Sequence, residues 1–535
     1  LSGHRRWASD DEETGRFAGM GRINGWAALS GLIAVAIAVI AAELTAAFVS
    51  PSVSPVTAVG STVIDALPPG VKDWAIETFG TADKLVFLVS MFLVIGGVAA
   101  GAGILEYRWR RAGAGLVLVF GLAGIAAVAA RPQSSTAAFA APVVALVLGV
   151  MLLSVLTDRL AAWQPRRAAD VGTPGPVARR KFLLGVGVGG AVAALAGTAA
   201  SLVRNSQSLV TQAREQIRLP VPDTAPGRAA AVIPAGADLG VDGLQPLVTP
   251  NDEYYRIDTA LVVPVVDPGT WRLRVTGMVD REVELTFDEL LAMPLVESYI
   301  TLACVSNVVG GDLIGNAKWL GWPVRELLAM AGVQEGADMV LSRSVDGFTA
   351  STPLDAMTDD RDSLIAVGMN GETLPVEHGF PVRLVVPGLY GFVSATKWVT
   401  ELKVTRYDDD VAYWSTRGWS ERGPVKTSSR IDVPRERSTV PAGTVQIAGY
   451  AWAQHRGIES VQVRVDEGAW QPARLATEIS RDTWRQFSAA VDLAPGSHTV
   501  QVRAVDSTGA VQVDRAAPVT PDGATGLHSV TFTVS

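Results

Sequence analysis

The stretch EHGFPVRLVVPGLYGFVSATKW, residues 377–398, decides how the C-terminal part of this chain is read. Within it FPVRLVVPG is an apolar run bounded by turn residues, which is the pattern of a short strand. Taken alone, its polar residues have plain explanations: His378 caps a turn and Arg383 makes a surface ion pair. Working outward, WRLRVTGMV at 271–279 alternates as a strand does, and TFDELLAM at 286–293 reads as a capped short helix. That mixture predicts an α+β domain. From about Ser438 the texture changes. TVQIAGYAW, IESVQVRVDEGAW, RQFSAAVDL and GSHTVQVRAVDSTG are regularly spaced alternating strands separated by turn residues, as in a β-sandwich of immunoglobulin type.

Upstream, the chain from Leu219 to about Leu247 is rich in Pro, Ala and Gly and reads as an extended linker. Before it lies most of the apolar content, which raises the mean hydropathy to +0.27 with 48% hydrophobic residues. Five apolar runs, at about Trp26–Phe48, Leu85–Leu105, Gly113–Ala130, Ala137–Leu156 and Phe182–Val203, each approach the ~20 residues needed to cross a bilayer. Basic clusters at residues 4–6, 108–111, 166–167 and 179–181 all fall on one side, against only Lys72, Lys84 and Arg131 on the other. The positive-inside rule then places the N-terminus in the cytoplasm and everything after about Arg204 outside. The segment ARRKFLLG at 178–185 is similar to a twin-arginine export signal, departing from it at Ala178 and Leu184; ordinary positive-inside flanking is the other reading. AGTAAS at 196–201 is a potential cleavage stretch, but retention of the last helix as an anchor is expected. No histidine occurs between His4 and His378, so a bis-histidine haem in these helices is not expected. Glu43, near the outer end of the first run, is either functional or snorkels to the interface.

The formal charge of -8 argues against a nucleic-acid partner. A single cysteine among 535 residues, Cys304 in TLACVSN (301–307), excludes a disulfide framework, a cysteine-ligated iron–sulfur cluster and a four-thiolate zinc site. By residue type alone, such a cysteine is more often a small buried hydrophobe than a catalyst. Its neighbours point elsewhere. TLACVSN resembles the segment that supplies the molybdenum-ligating cysteine in the sulfite oxidase family, whose relatives include nitrate and methionine-sulfoxide reductases. The resemblance runs from about Leu247 to Ser535 through VTPNDEYYRIDT (248–259), AKWLGWPVREL (317–327), the 377–398 stretch and the C-terminal sandwich, which looks like the family's dimerisation domain.

The resemblance implies a molybdenum–molybdopterin cofactor with Cys304 as catalytic residue and protein ligand to the metal, the dithiolene supplying the remaining sulfurs. It further implies that Asn251, Arg256, Asn307, His378, Arg383 and Lys397 hold the cofactor. The sequence departs from sulfite oxidases after Asn307. Where they carry Arg-Arg, the second binding the anionic substrate, this chain has Val308 and Val309; losing that fixed cation weakens recognition of sulfite unless a charge from further along the chain replaces it. Trp414, Arg417, Trp419, Arg422 and Lys426, in YWSTRGWSERGPVKTSSRI (413–431), match a stretch near the family's substrate entrance, and their direction is open between pocket and solvent.

The expected organisation is a multidomain chain: a transmembrane α-helical bundle of about five helices over 1–205, a linker over 206–246, an α+β molybdopterin domain over 247–430 and an immunoglobulin-like dimerisation-type domain over 431–535. The expected function is oxygen-atom transfer to or from a small sulfur or nitrogen compound, outside the cytoplasmic membrane. No stretch resembles a cytochrome b5 segment, so a separate cytochrome or quinone-linked subunit is expected as electron partner, along with a homodimer. The alternative from another class is a catalytically silent, membrane-anchored scaffold using the same fold, and a further one is a helical part that docks a partner of its own.

Overall fold

A computed structural model describes residues 5–49, 54–68, 83–130, 136–163, 179–184, 214–222, 231–260 and 262–535, with isolated positions between 71 and 79 and at 187. The chain divides into two compact units, residues 1–208 and 209–535.

The first unit is helical. Helix α1 (Arg5–Val49) is followed by α2 (Pro55–Ala66), α3 (Asp83–Arg108), α4 (Ala112–Ala129) and, after one 3-10 turn, α5 (Ala140–Trp163). Among the described residues, four helical stretches are long and apolar enough to cross a membrane: Ile23–Ala46, Lys84–Arg108, Ala112–Ala129 and Thr136–Trp163. They coincide with the first four apolar runs. The fifth run, Phe182–Val203, lies almost wholly outside the described residues. Close packing of α1 on α3 explains the small residues between them. A Cβ on Gly31 would overlap the Ala99 carbonyl, and one on Gly103 would overlap the Ala27 carbonyl; small residues let helix backbones approach this closely. Large apolar side chains such as Leu93 and Val119 point away from the bundle and are exposed.

Two glutamates near helix ends cap the start of a following helix. The Glu43 carboxylate accepts from Ser54 Oγ at 2.7 Å and from the Val56 N–H at 3.0 Å, at the start of α2. Glu106 accepts from the N–H groups of Arg111 (3.1 Å) and Ala114 (2.9 Å), at the start of α4. A helix N-terminus leaves such donors without intrahelical partners, and carboxylates also complement its dipole.

The second unit is rich in sheet. Strands β1 (Arg272–Gly277), β2 (Val283–Thr286), β5 (Met339–Ser344), β6 (Thr349–Pro353) and β10 (Val399–Thr405) form a sheet in the order β2-β1-β10-β5-β6, in which only β1 and β10 run parallel. The helix expected at 286–293 is α6 (Phe287–Leu291), opened by a capping box between Thr286 and Glu289. A second, antiparallel sheet carries the order β3-β4-β7-β8, from β3 (Val296–Ala303), β4 (Ile314–Pro323), β7 (Leu364–Met369) and β8 (Glu372–Thr373), with β9 (Arg383–Val385) also paired to β7. The strand expected over 380–388 is thus only three residues long, because Pro381 and Pro387 cannot donate to a ladder.

Two further sheets follow, in the orders β11-β13-β17-β16 and β12-β19-β18-β14-β15, which include β12 (Thr439–Val440), β14 (Ile458–Val465), β15 (Gln471–Pro472), β16 (Arg474–Leu475) and β17 (Arg485–Leu493). They share one core: Ile431 of β11 (Ser428–Val433) and Ile447 of β13 (Gly443–Trp452) meet Val502 of β18 (Gly496–Asp506) and Phe532 of β19 (Ser529–Val534). Inward and outward positions alternate along β18 and β19, which is the period-two pattern legible in the sequence. The described part of the proline-rich linker is extended but not loose. Tyr450 Oη donates to the Gln245 carbonyl at 2.6 Å, and Leu239 N–H donates to Gln486 Oε1 at 2.7 Å.

Candidate active site

Cys304 follows the last residue of β3, so the strand delivers it to a fixed point at the sheet's end. The loop from 304 to 313 closes on itself: Cys304 N–H donates to the Leu313 carbonyl (2.9 Å), Asn307 N–H to the Cys304 carbonyl (3.1 Å), and Leu313 N–H to Asn307 Oδ1 (3.0 Å). The sulfur is 3.4 Å from the Ser306 N–H. Burial pushes the Cys304 thiol above its ordinary range, only partly offset by Ser306. A buried thiol with no cationic neighbour is inert by itself; a bound metal would supply the charge that stabilises its thiolate.

Cys304 lines a cavity of about 120 Å³ together with His378, Arg383, Lys397, the tyrosines 254 and 255, and an aromatic wall of Phe348, Phe392, Trp398, Trp414 and Trp419. Arg383, on β9, is 5% exposed. Its guanidinium donates only to main-chain carbonyls, those of His378 (3.1 Å) and Leu384 (3.3 Å), and lies 5.0 Å over the Trp319 ring. Among the described residues no carboxylate lies within ion-pair distance of it. A buried guanidinium is costly without a counter-ion, so this one marks a place for an anion. Its pKa is lowered, chiefly by burial.

Lys397 is also buried, but it is paired: Nζ donates to Asp258 Oδ2 at 2.9 Å and to the Glu377 carbonyl at 3.1 Å. Burial, against the pull of Asp258, lowers its pKa to about 8. His378 sits at the end of a 3-10 turn (Val376–His378). Burial and the Arg383 charge push its pKa down to about 4, so the ring is neutral at pH 7. Nε2 is 3.0 Å from the Asn251 carbonyl, which can only accept; Nε2 therefore carries the proton and Nδ1 is the acceptor.

Cys304, His378, Arg383 and Lys397 line this one cavity. Three other expected residues stand outside the cavity lining. The Asn251 side chain is tied to the β7–β8 turn by Asn370 (2.8 Å) and Glu372 (2.5 Å), and only its carbonyl reaches the site, through His378. Arg256 is partly exposed and pairs with Asp258 at 2.9 Å. Asn307 shapes the cysteine loop. Sequence reading missed Asp258, Asp346, Phe348 and Phe392. Asp258 was in view, two residues after Arg256 in YYRIDT, as was Phe392 within the 377–398 stretch; Asp346 and Phe348 come from a turn remote from both.

The alternative cations also have places. Lys426 pairs with Asp522 (2.8 Å) and donates to the Gly523 carbonyl. Arg417 donates to the Tyr413 carbonyl at 2.7 Å and lies over that ring, while Arg422 lies over Tyr407. None of the three lines the cavity, whereas Trp414 and Trp419 do. Val308 is exposed and also lies outside the lining.

Residues 260–414 match the oxidoreductase molybdopterin binding domain, and residues 424–519 match the Mo-co oxidoreductase dimerisation domain. Sulfite oxidase of Gallus gallus is 30% identical over 321 residues, covering 51% of this chain and 69% of that protein. The chain belongs to the sulfite oxidase family. Mitochondrial sulfite oxidase of Homo sapiens is 32% identical over 323 residues, and this chain spans 58% of its length. An uncharacterised oxidoreductase of Bacillus subtilis is 36% identical over 157 residues, 76% of its own length. Among solved structures, the sulfane dehydrogenase SoxCD from Paracoccus pantotrophus aligns with a TM-score of 0.47 at 25% identity, over 54% of this chain and 83% of that one. The family's cofactor fits the donor set here: one thiol, one buried guanidinium awaiting an anion, a second buried cation and a neutral imidazole.

Proposed function

We propose that this chain is a molybdenum-cofactor oxidoreductase that transfers an oxygen atom to or from a small sulfur or nitrogen compound. The observation that carries the reading is Arg383, buried without a carboxylate partner in the cavity that holds the chain's only thiol. In this reading Cys304 is the protein's ligand to the metal, while Arg383 and Lys397 hold the cofactor's phosphate. Neutral His378 presents Nδ1 as an acceptor to the pterin. Asn251, Arg256 and Asn307 act at one remove: Asn251 orients His378 through its carbonyl, Arg256 shares Asp258 with Lys397, and Asn307 closes the cysteine loop. The cofactor, when bound, supplies two-electron oxygen-atom chemistry that no side chain can perform.

The substrate end of the cavity is aromatic. With Arg383 and Lys397 assigned to the cofactor, the remaining charged lining groups are two carboxylates, Asp258, which pairs with Lys397, and Asp346, and an anion there meets repulsion rather than a fixed cation. Sulfite is therefore expected to be turned over at least about tenfold less efficiently than an uncharged sulfoxide or N-oxide, the scale set by loss of one charge-assisted hydrogen bond.

The four apolar helices and the fifth apolar run of the sequence, residues 182–203, anchor the chain in the cytoplasmic membrane by five crossings. The basic clusters put the second unit outside, and a separate cytochrome or quinone-linked subunit exchanges electrons with it. Residues 247–430 form the cofactor domain, and 431–535 an immunoglobulin-type sandwich through which two copies pair. The decisive test is elemental analysis of detergent-purified protein from a host that makes the cofactor, with release of the pterin. About one molybdenum per chain, lost in Cys304→Ala, is expected; a folded preparation that takes up neither metal nor pterin rejects the reading.

A further inference from the structure

The two-sheet region at the C-terminus touches the cysteine loop directly, and the contacts are polar and directional. Arg430, on β11, is 4% exposed. Its Nη1 donates to the Gly311 carbonyl at 2.8 Å, while Asp432 (2.7 Å) and Gln245 (2.9 Å) hold the same guanidinium in place. Gly310, the neighbouring residue in the loop, has a φ of 77° and lies against the His528 ring; a Cβ there would overlap the imidazole. His528 is itself fixed, because Nδ1 accepts from the Ile431 N–H at 3.0 Å and its carbonyl accepts from Val502 N–H at 3.2 Å.

The chain leading to His528 reaches the opposite wall of the cavity as well. The Pro521 carbonyl accepts from Ser420 N–H at 3.0 Å, one residue beyond Trp419, and Asp522 holds Lys426 at 2.8 Å. This segment is anchored to its own sheets through buried Gln512, whose Nε2 donates to the Gly526 carbonyl (2.9 Å) and whose Oε1 accepts from Ser429 (2.6 Å) and Ala504 (3.1 Å). A side chain that is buried and satisfied on every polar atom specifies one arrangement. Residues 519–528 thus form a clasp between the cysteine loop and the tryptophan wall.

We infer that the C-terminal region is a working part of the site as well as a pairing module: Arg430 and His528 are positioning residues that set the Cys304 loop, and the 519–528 segment fixes the loop against the Trp414–Trp419 wall. The loop between Cys304 and Leu313 has local hydrogen bonds of its own, and its far side, residues 308–311, is held by Arg430 and His528, with the Val309 side chain beside Gly526. That consequence for the reaction rests on Cys304 being the metal's ligand; the mechanical claim does not.

The two can be tested apart, because one cysteine in the chain makes thiol labelling a direct reading of this loop. In full-length, cofactor-free protein in detergent, the labelling rate of Cys304 by a maleimide is expected to rise about tenfold in Arg430→Gln and in His528→Asn, as opening of a loop gains population when a charge-assisted bond or its packing is lost. Arg430→Lys, which keeps one donor, should recover part of the protection. Arg503→Gln, which removes a guanidinium stacked on Trp470 at 4.3 Å in the same region, should label as the parent does. In the loaded enzyme, Arg430→Gln should also shift the electron paramagnetic signal of the metal, with Arg503→Gln unchanged. Unchanged labelling in both Arg430→Gln and His528→Asn overturns the inference, as does a rise that Arg503→Gln shares at equal loss of global stability. Increased labelling with no molybdenum signal in any variant, the parent included, would leave the positioning role standing and sink the cofactor reading instead.

Discussion

His378 joins two facts that a sequence cannot join: it is 3% exposed, and it lies beside a guanidinium. Its pKa of about 4 in the fold lies below the ordinary 6.5. Between those values the unfolded chain binds the proton and the folded one does not, so the stability is present above pH 6.5 and is lost as pH falls toward 4, up to about 3 kcal/mol. Urea unfolding of cofactor-free protein should show wild type losing more stability than His378→Gln between pH 7 and 4.5, with the two converging at neutral pH; parallel profiles would refute the burial argument. Lys397 acts in a separate window. Its folded value of about 8, against 10.5, raises stability only as the medium turns alkaline. Cys304 is different again. Its sulfur takes only weak hydrogen bonding, from Ser306, so Cys304→Ala should cost the cofactor-free fold only about 1 kcal/mol while abolishing turnover, a contrast readable by thermal denaturation and assay together. Its identity as the site's thiol was legible because it stands alone in the chain, set between TLA and VSN. The partners of Arg383 were not legible, because a buried cation without a carboxylate is a property of the space around it.

Among the elements, those with strong periodicity were read correctly. Four apolar runs became four long helices, and the alternation of β13, β14, β17 and β18 predicted strands where they occur. Helix α2 was missed. It is 12 residues long, too short to span a bilayer, and its start depends on Glu43, eleven residues before Ser54, meeting the cap. The length of β9 was overestimated because its apolar run continues past the last ladder bond. The contact of α1 with α3 gives a direct test: Gly31→Val introduces side-chain atoms where the Ala99 carbonyl already lies. Overpacking of this kind costs about 1–3 kcal/mol, and detergent unfolding followed by circular dichroism should show the variant melting earlier than Gly25→Ala, a position where a Cβ meets nothing. Equal melting of the two would remove the case for backbone contact.

At the scale of the whole molecule, export and pairing are the open consequences of the proposed arrangement. Replacing Arg179 and Arg180 by Lys keeps the charge that orients a helix but removes the pair read by the twin-arginine receptor. Protease protection in spheroplasts should then show residues 209–535 retained inside, whereas surface exposure equal to the parent would assign those arginines to ordinary flanking. What the sequence by itself determined is everything that depends on local pattern: apolar runs long enough for a bilayer, alternating strands, one thiol in a polar setting and the order of the motifs from 248 to 431. Tertiary structure alone decided how these charges are paired and which of the other cations stay out of the cavity. Arg383 is unpaired and inside; Arg417, Arg422 and Lys426 are satisfied elsewhere; and Arg430 and His528, more than one hundred residues beyond Cys304, hold its loop. The reason is physical. Helix and strand periodicity act over a few residues, whereas desolvation and ion pairing depend on which distant segments share a small volume, and the chain's fold alone sets that distance.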